Sequence, residues 1–513
     1  MRPSSHARAP VPSPRTATAL VTATLLGALL SARAARADVV PVTTGAELEA
    51  AIDAAQPGDE LVLADGTYAI GSPSCAAAGT AAAPIVVRAE SPLGARIEVS
   101  GLEGFRVSGA FWRFEGLDIQ GVCASHPDCE HAFHVTGKAT DFTLRHSRVR
   151  DFNAQLKVNA TPGDGGVYDV PHRGLIEYCD IGDTAPRATD SPVTKLNIDT
   201  GDGWVVRGNF LHDWHKDGGD AVSYGAFMKS GGNDGLFERN LVACSFDVAT
   251  GGTRIGLSFG GGGTGAQYCA PAFDPNVPCD VEHSGGVLRN NLIIDCSDVG
   301  IYLNRAADTR VLFNTLVGTA GVDFRFETTT GEADGNVLEG GIRERDGGTF
   351  TPGNNLVEQD AAFFDALYAD PLGGDFLLEG PADALIGQGS ARDDVPDDFC
   401  ARQRPDGAVA LGAIEHSLGD CVANPPPEGS GSSGAGGGSG SGGEGSGASG
   451  GSSGPGGPSV GAGAGAGAEP GGEGDDGCGC RVAGGRGGAG AAAAVMLAAC
   501  GVLLAQRRRR RSA

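Results

Sequence analysis

The chain has 513 residues, of which 86 are Gly, a formal net charge of −25 and a pI of about 4.7. An acidic surface of this kind argues against nucleic acid and other polyanions as general partners. The length also exceeds what one compact core usually needs, so a repeat architecture is expected.

The N-terminus has the three-part layout of a secretory signal. Several arginines precede an apolar run over 17–30, and the small residues Ala35 and Ala37 follow it. The apolar run is too short to cross about 30 Å of hydrocarbon comfortably. We therefore predict a signal peptide over residues 1–37, cleaved before Asp38, and export of the rest of the chain.

The next segment has the pattern of a helix followed by strands. An apolar stripe at helical spacing runs through 44–55, and apolar strand patterns follow over 58–68 and 83–90. This order, with Pro-Gly-Asp and Asp-Gly-Thr-Tyr turns, resembles the N-terminal entry of right-handed parallel β-helix proteins of the chondroitinase B and alginate lyase group. The resemblance spans roughly residues 41–120. It implies an all-β fold, a right-handed parallel β-helix over 38–421 with an N-terminal capping helix.

The body repeats a pattern of two short apolar runs that meet at a polar or small residue. These meeting points are residues 147, 179, 209, 240, 291 and 315, at steps of 32, 30, 31, 51 and 24 residues. Such a repeat predicts the rungs of a β-solenoid. We expect Asn209 and Asn240 to take left-handed corner conformations and to join an amide ladder. The longest step predicts a loop insertion over 260–282.

Cysteine usage fits an exported protein. Of the 13 cysteines, three lie near the C-terminus, which leaves an even number, 10, in the predicted body. Export favours disulfide bonds. The pairs that are close in sequence are Cys123 with Cys129, Cys269 with Cys279, and Cys400 with Cys421. The actual pairing cannot be deduced from the sequence, and no cysteine spacing indicates a zinc site.

The main candidate for chemistry is the segment 227–233, Phe-Met-Lys-Ser-Gly-Gly-Asn. It resembles the Lys-Ser motif that carries the lysine base in chondroitinase B-like lyases. The resemblance implies that Lys229 removes the proton α to a uronic carboxylate, assisted by an arginine one rung later and by calcium. Here Arg254 lies a few residues early and no glutamate follows it. A solvated corner lysine is the alternative, and the region also resembles exported β-helix proteins of uncharacterised activity.

A pair of aspartates suggests a different reaction. Asp199 and Asp220 are 21 residues apart, a spacing that predicts stacking on neighbouring rungs. Polygalacturonase-like hydrolases use aspartates on adjacent rungs as acid and base. The other residues of that arrangement are not reproduced here, so loop acids without a catalytic role are the alternative.

The segment between these aspartates offers groups for binding. We predict that Trp214 stacks on a sugar ring, with His215 and Lys216 as further substrate contacts, although Trp214 also suits a hydrophobic core. Asp217 and Asp220 are candidate calcium ligands through their hard oxygen atoms. Calcium is the only cofactor that the sequence suggests.

Two distinct segments follow the predicted rungs and precede the C-terminal tail. Residues 374–415 resemble the closing segment of exported β-helix proteins, which predicts a C-terminal cap. Residues 422–476 are nearly all Gly, Ser, Ala, Pro and Glu. Such a composition has little apolar surface to bury, so we predict a disordered, flexible linker.

The last segment, 477–513, has a Cys-containing motif, an apolar stretch over 487–505 and a run of arginines. About 19 residues at 1.5 Å each reach roughly 28 Å, enough for one transmembrane helix. The arginines on its C-terminal side leave everything before it outside the membrane. The segment resembles the MYXO-CTERM sorting signal of myxobacterial surface proteins. The resemblance implies a membrane sorting protease as partner and processing near Cys478 or Cys480; a plain single-pass anchor is the alternative.

Together these features predict a protein displayed at the cell surface that engages extracellular polysaccharide. The enzymatic version is a polysaccharide lyase that uses β-elimination through Lys229. The alternatives are a non-catalytic adhesion or matrix protein, and a glycoside hydrolase of polygalacturonase-like type.

Overall fold

The computed structural model describes residues 38–248, 251–261 and 266–421. The predicted signal peptide, linker and sorting tail lie outside these residues, as do Cys478, Cys480 and the predicted transmembrane helix 487–505. In the described part of the chain, no helix is long and apolar enough to cross a membrane.

The described part of the chain begins with a short strand, Val39–Val42, and a capped helix, Gly45–Ala54. The side chain of Thr44 accepts a hydrogen bond from the Glu47 N–H, and the Glu47 carboxylate accepts one from the Thr44 N–H, which is a capping box. Leu48 and Ile52 of this helix are buried in the main hydrophobic core. The predicted capping helix is therefore confirmed.

Most of the remaining chain forms three long sheets, and each turn of the chain adds one strand to each sheet in the same order. The first sheet has 12 strands: Val39–Val42, Glu60–Leu63, Ile85–Ala89, Trp112–Glu115, Thr143–Arg145, Leu175–Glu177, Val205–Arg207, Leu236–Glu238, Val287–Arg289, Thr309–Leu312, Gly331–Asp334 and Thr351–Pro352. The second has 10: Gly66–Ile70, Ala95–Val99, Asp118–Gly121, Arg148–Arg150, Asp180–Gly182, Phe210–His212, Leu241–Ala243, Leu292–Ile294, Thr315–Val317 and Val337–Leu338. The third also has 10: Ser74–Cys75, Glu103–Val107, His131–Thr136, Ala154–Asn159, Val193–Asp199, Val222–Lys229, Thr253–Phe259, Ile301–Asn304, Gly321–Arg325 and Gly341–Arg345.

Smaller elements occupy the turns and the C-terminal segment. A short three-stranded sheet and three two-stranded hairpins comprise Gly232–Asn233, His283–Ser284 and Ala306–Ala307; Thr161–Pro162 with Tyr168–Asp169; Tyr368–Asp370 with Asp375–Leu378; and Gly389–Ser390 with Ala408–Val409. The second α-helix is Ala361–Leu367, and the 3-10 helices are His126–Asp128, Asp164–Gly166, Ala266–Tyr268, Pro371–Gly373 and His416–Leu418.

Strands of successive rungs pair in parallel, so side chains of one kind stack along the helix axis. In the third sheet, Leu196 is in register with Ala226, and Ile198 with Met228, and all four are buried in the core. The residues between them, such as Asn197, project to the other face of the sheet because side chains alternate along a strand. The predicted parallel β-helix is confirmed.

The corner between the first and second sheets contains the predicted amide ladder. The Asn209 amide donates to Asn240 Oδ1 at 3.0 Å, and the Asn240 amide donates to Asn291 Oδ1 at 2.9 Å. The ladder continues through Asn314, Asn336 and Asn355. The left-handed backbone, however, belongs to the residue before each ladder position: His146, Tyr178, Gly208, Arg239, Asn290, Phe313 and Gly335 have φ between 49° and 74°.

Two details of the predicted corner are therefore corrected. One left-handed residue turns the chain, and the next residue directs its amide inward, where it bonds the neighbouring rungs. The last predicted corner, residue 315, is also displaced by one, since Val287 is in register with Arg310 and the ladder residue is Asn314. Thr315 instead begins the next strand.

The three predicted disulfides, Cys123–Cys129, Cys269–Cys279 and Cys400–Cys421, are all present. A fourth, Cys244–Cys296, joins residues 52 apart in sequence. It was not predicted because its cysteines become neighbours only when two rungs stack, with Ala243 in register with Ile294. Cys75 and Cys179 are buried thiols without a disulfide partner.

The C-terminal segment runs along the side of the β-helix. Phe364 and Leu367 pack on outward apolar residues of the second sheet, among them Leu292 and Val317. Arg404 reaches the corner, where its guanidinium donates to Asn290 Oδ1 at 3.0 Å. The predicted C-terminal cap is thus a lateral cover, required because the outer face of the second sheet is apolar there.

Candidate functional site

The outer face of the third sheet brings together three charged side chains from successive rungs. Asp199 and Lys229 are in register at the ends of neighbouring strands, and Lys229 Nζ lies 3.3 Å from Asp199 Oδ1. Lys157, one rung earlier, forms an ion pair with Asp199 Oδ2 and donates to Asn197 Oδ1 at 3.0 Å. We call these residues the Lys157–Asp199–Lys229 cluster.

The cluster is largely buried and carries two ammonium groups around one carboxylate. Its three side chains are 11–16 % exposed. Burial favours the neutral form of Asp199, but the charges and hydrogen bonds of Lys157 and Lys229 outweigh it and lower the pKa of Asp199 to about 2. With Asp199 ionised, the cluster has one excess positive charge on a strongly acidic protein.

Acid should reveal how much Asp199 contributes to stability. A carboxyl whose folded pKa is depressed stabilises the fold above its unfolded pKa, and this contribution is lost as pH falls from about 4 to about 2. We expect Asp199→Asn to lower the free energy of unfolding by about 2 kcal/mol near neutrality, and by much less at the acid end. Urea unfolding across this range measures both values. Asp169→Asn, which faces the exposed Lys138, is the control, and equal losses in both variants at all pH values would contradict the assignment.

Two loops border the cluster on the side where the strands end. The hairpin over 161–169 and the predicted insertion meet where Tyr168 stacks on Phe273, with ring centroids 4.3 Å apart. The insertion also bonds the chain directly after Lys229, because the Ala270 N–H donates to the Ser230 carbonyl at 2.9 Å. The Cys269–Cys279 disulfide closes this loop. The insertion is confirmed, and its described residues lie beside the cluster.

Arg254 and Asp220 lie at the other end of the same sheet. Arg254 is in register with Ser223, near the start of the strand that ends at Lys229. That strand, Val222–Lys229, has 8 residues, so its ends are separated by roughly 23 Å at about 3.3 Å per residue. Arg254 is buried and donates to the Gly251 carbonyl at 2.8 Å. The structure therefore brings neither Arg254 to Lys229 nor Asp220 to Asp199, and the stacking predicted for the two aspartates is not found.

The predicted sugar contacts lie inside the protein. Trp214 is fully buried in the main core, and His215 and Lys216 are buried as well. Lys216 Nζ donates to Asp220 Oδ1 at 2.8 Å. Trp214 joins the core because the left-handed backbone of Asp213, with φ of 51°, ends the strand alternation and turns the chain just before it. The prediction that these three side chains form a sugar-binding surface is therefore wrong.

The aspartates proposed as calcium ligands are poorly placed for an ion. Asp217 and Asp220 are exposed, and the Asp220 carboxylate already bonds Lys216 and the Val222 N–H. Within the residues that the structure describes, neither aspartate belongs to a group of three side chains close enough to share a metal ion. Asp199 is held by two ammonium groups. These residues therefore do not fit calcium.

Sequence reasoning missed Lys157 and the polar groups further along the same face. Tyr302 is in register with Ser258, and its hydroxyl bonds Asn304 and Arg325, each at 3.1 Å. Burial raises the pKa of Tyr302. A signal for Lys157 was present, since it stands between the inward residues Leu156 and Val158 just as Asn197 stands between Leu196 and Ile198.

Comparison with known proteins supports the fold and a local likeness. The sequence model of the chondroitinase B family matches residues 42–134, so the chain is similar to that family over its first rungs; Lys229 lies beyond the match. No curated protein matches the chain significantly.

Several solved polysaccharide lyases are similar in structure at low identity. The pectate lyase Pel9A is 14 % identical, covers 74 % of this chain and 96 % of its own, and gives a TM-score of 0.39. A rhamnogalacturonan lyase is 13 % identical, with 73 % and 96 % covered and a TM-score of 0.42. The family PL6 polysaccharide lyase Pedsa3628 from Pseudopedobacter saltans is 14 % identical, with 63 % and 93 % covered and a TM-score of 0.34.

Proposed function

We propose that the chain binds an acidic polysaccharide on the outer face of its third sheet, at the Lys157–Asp199–Lys229 cluster. The observation that carries this proposal is the excess positive charge of the cluster. On a protein with net charge −25, a positively charged cluster gives an anionic ligand a local point of attraction on a surface that otherwise repels it. A uronate carboxylate is a partner of this kind, and the rung spacing of about 4.8 Å suits a polymer lying along the helix axis.

The enzymatic version of the proposal is β-elimination with Lys229 as the base. The neutral amine takes the proton α to the uronate carboxylate, and the electrons of that C–H bond form a double bond to the neighbouring carbon. The bond from this carbon to the glycosidic oxygen breaks, and the oxygen leaves with the proton that the Lys229 ammonium now carries, which returns Lys229 to the neutral amine. Lys157 binds the carboxylate and stabilises the negative charge that develops on it. This chemistry requires Lys229 to leave Asp199 when substrate arrives.

A second candidate, non-catalytic binding, is favoured by the ion pair between Lys229 and Asp199. An ammonium held by a carboxylate stays protonated, and a protonated lysine binds anions but accepts no proton. The candidate assistant Arg254 also lies at the far end of the strand. Both versions use the same surface, and they differ in whether the polymer is cleaved.

Incubation of the full-length protein with alginate, chondroitin and pectin separates these versions. A lyase produces ultraviolet absorbance from the unsaturated uronate, and Lys229→Ala should reduce its rate by about 100-fold or more, the usual contribution of a general base. Lys138→Ala, at an exposed lysine, should leave the rate unchanged.

The other possible outcomes distinguish non-catalytic binding, a different base, hydrolysis and a different binding surface. Binding without cleavage that weakens in Lys229→Ala and Lys157→Ala would establish the non-catalytic candidate. Cleavage that persists in Lys229→Ala would contradict the base assignment, and new reducing ends without the absorbance would indicate hydrolysis. Binding that is unchanged in both lysine variants would contradict the proposed surface itself.

We further propose that the β-helix acts outside the cell, displayed by the C-terminal tail and handled by a sorting protease. The four disulfides support an oxidising compartment. Surface proteolysis of intact cells, followed by detection of the body and of the segment after Cys478, tests this placement. A body found only after lysis would contradict it.

A further inference from the structure

We propose that Glu103, His131 and His134 form a binding site for one divalent transition-metal ion, with Zn²⁺ as the reference ion. The three side chains lie on the outer face of the third sheet, near the N-terminal end of the β-helix. The proposal does not depend on polysaccharide binding, because three other residues form this site.

The β-helix places the three side chains together through its register. Glu103 and His131 are direct partners on neighbouring strands, and His134 follows on the same strand as His131. His134 Nδ1 lies 2.7 Å and His131 Nδ1 lies 3.6 Å from Glu103 Oε1. Among the described residues, this is the one group of three His, Cys, Asp or Glu side chains whose ligand atoms lie within 4.8 Å of one another.

These separations are close to those of a bound ion. Zinc–nitrogen and zinc–oxygen bonds of about 2.0–2.1 Å at tetrahedral angles require ligand atoms about 3.3 Å apart. The two separations from Glu103 lie on either side of this value, and all three ligand atoms lie within 4.8 Å of one another.

The contacts of His134 allow it to turn Nδ1 towards an ion. His134 Nδ1 lies 2.7 Å from Glu103 Oε1, a contact that an ion between them would replace, and Nε2 lies 3.2 Å from Asn159 Oδ1, which can accept the Nε2 proton once Nδ1 binds the ion. His131 Nδ1 is buried without a hydrogen-bond partner. Two imidazole nitrogens and a carboxylate oxygen within 4.8 Å of one another are positioned to share one cation. The Asn159 contact is the kind that orients a metal-bound imidazole.

The donor set selects the class of ion. Two imidazoles and one carboxylate suit Zn²⁺ and similar transition metals, whereas Ca²⁺ prefers six to eight oxygen ligands. The three side chains are 16–25 % exposed, so a fourth position would be open to water or another ligand. The nearest ammonium, that of Lys157, is held by Asn197 and Asp199 on the following rung.

The site shares no residue with the Lys157–Asp199–Lys229 cluster, but the two are neighbours on the sheet. Lys157 is in register with His134 on the adjacent strand, one step of about 4.7–4.9 Å away. Lys229 is three strand steps from His134, about 14 Å.

Titration calorimetry of the full-length protein, after treatment with a chelator, tests the proposal with Zn²⁺ alone. We expect one ion per chain at this site, and a visible absorption band when Co²⁺ replaces Zn²⁺. His131→Ala, His134→Ala and Glu103→Gln should each weaken Zn²⁺ binding by at least 10-fold, and Asn159→Ala by about 10-fold. His146→Ala, which removes an imidazole stacked on Tyr178, is the matched control and should bind as the unchanged protein does.

Thermal unfolding shows whether each variant is folded. If a ligand variant is unfolded, Zn²⁺ binding by Asn159→Ala provides the test instead. Absence of Zn²⁺ binding, or binding that none of the four substitutions weakens, would overturn the proposal. Equal affinity for Ca²⁺ would overturn the assigned class of ion. Polysaccharide is absent from this assay, so its outcome is independent of the proposed function.

Discussion

Replacement of Lys195 by Met is expected to lower the free energy of unfolding by about 3–5 kcal/mol, because it leaves a buried carboxylate without its cation. Lys195 and Asp183 are 0 % and 1 % exposed, and Lys195 Nζ lies 2.6 Å from Asp183 Oδ2. The same ammonium donates to the Phe152 carbonyl at 2.8 Å. In the variant, Asp183 keeps only the Gln155 amide at 3.1 Å and the charge of Arg187 nearby. Urea unfolding near neutral pH measures the loss.

The stability loss of the Lys195→Met variant should depend on pH. Burial raises the pKa of Asp183, and removal of Lys195 should raise it further. A carboxyl whose folded pKa lies above its unfolded value destabilises the fold as pH rises through that interval, so the variant should recover stability in acid. A loss that stays constant down to the unfolded pKa of about 4 would contradict this explanation.

Two matched variants isolate the buried charge. Lys138→Met removes a lysine whose side chain is 69 % exposed and lies 3.6 Å from Asp169; the cost should be under about 1 kcal/mol, as for other surface pairs. The double variant Lys195→Met with Asp183→Asn removes both charges and should regain part of the loss. If the buried and exposed lysines cost the same, burial is not the cause.

The repeat and the buried positions of the fold were readable from the sequence because each rung obeys a local rule. Two apolar runs around a polar residue recur through the body, and the capping helix has an apolar stripe at helical spacing. Asn209 and Asn240 were identified as ladder residues because a rung spacing of 31 residues places them at one corner. The position of Asn314 was missed by one residue, since the apolar pattern alone does not distinguish Phe313 from the inward residue that follows.

The site was less predictable because its residues meet through turns of unequal length. Lys157 and Asp199 are 42 residues apart, whereas Asp199 and Lys229 are 30 apart. A spacing of 21 residues therefore placed Asp220 wrongly next to Asp199, while the register places Lys229 there. Arg254 was likewise counted from the motif along the chain, although the strand direction carries it to the opposite end of the sheet.

The group formed by Glu103, His131 and His134 could not be predicted from sequence spacing either. No short motif joins them, since Glu103 and His131 are 28 residues apart. They meet because the chain returns after one rung and pairs Glu103 directly with His131. Sequence spacing indicates that such returns occur, but only the register identifies which side chains become neighbours.

Replacement of Asn240 by Ala should cost about 3–5 kcal/mol, because several buried groups lose their partners at once and each orphaned group costs about 1–3 kcal/mol. Asn240 is fully buried. Its Oδ1 accepts from the Asn209 N–H at 3.1 Å and from the Asn209 amide at 3.0 Å. Its own amide donates to the Val206 carbonyl and to Asn291 Oδ1, each at 2.9 Å. The free energy of unfolding in urea is the measurement.

The ladder supplies its own control at Asn355, the last residue of the series. Asn355 accepts from the Asn336 amide at 2.8 Å and donates to the Ala333 carbonyl at 2.7 Å, but it is only half-buried. Water can replace these bonds, so Asn355→Ala should cost about 1 kcal/mol. If the two variants lose the same stability, the ladder acts through side-chain packing and not through unsatisfied hydrogen bonds. A larger loss of stability at Asn240 supports unsatisfied hydrogen bonds as the cause, since both positions lose the same chemical group and differ in access to water.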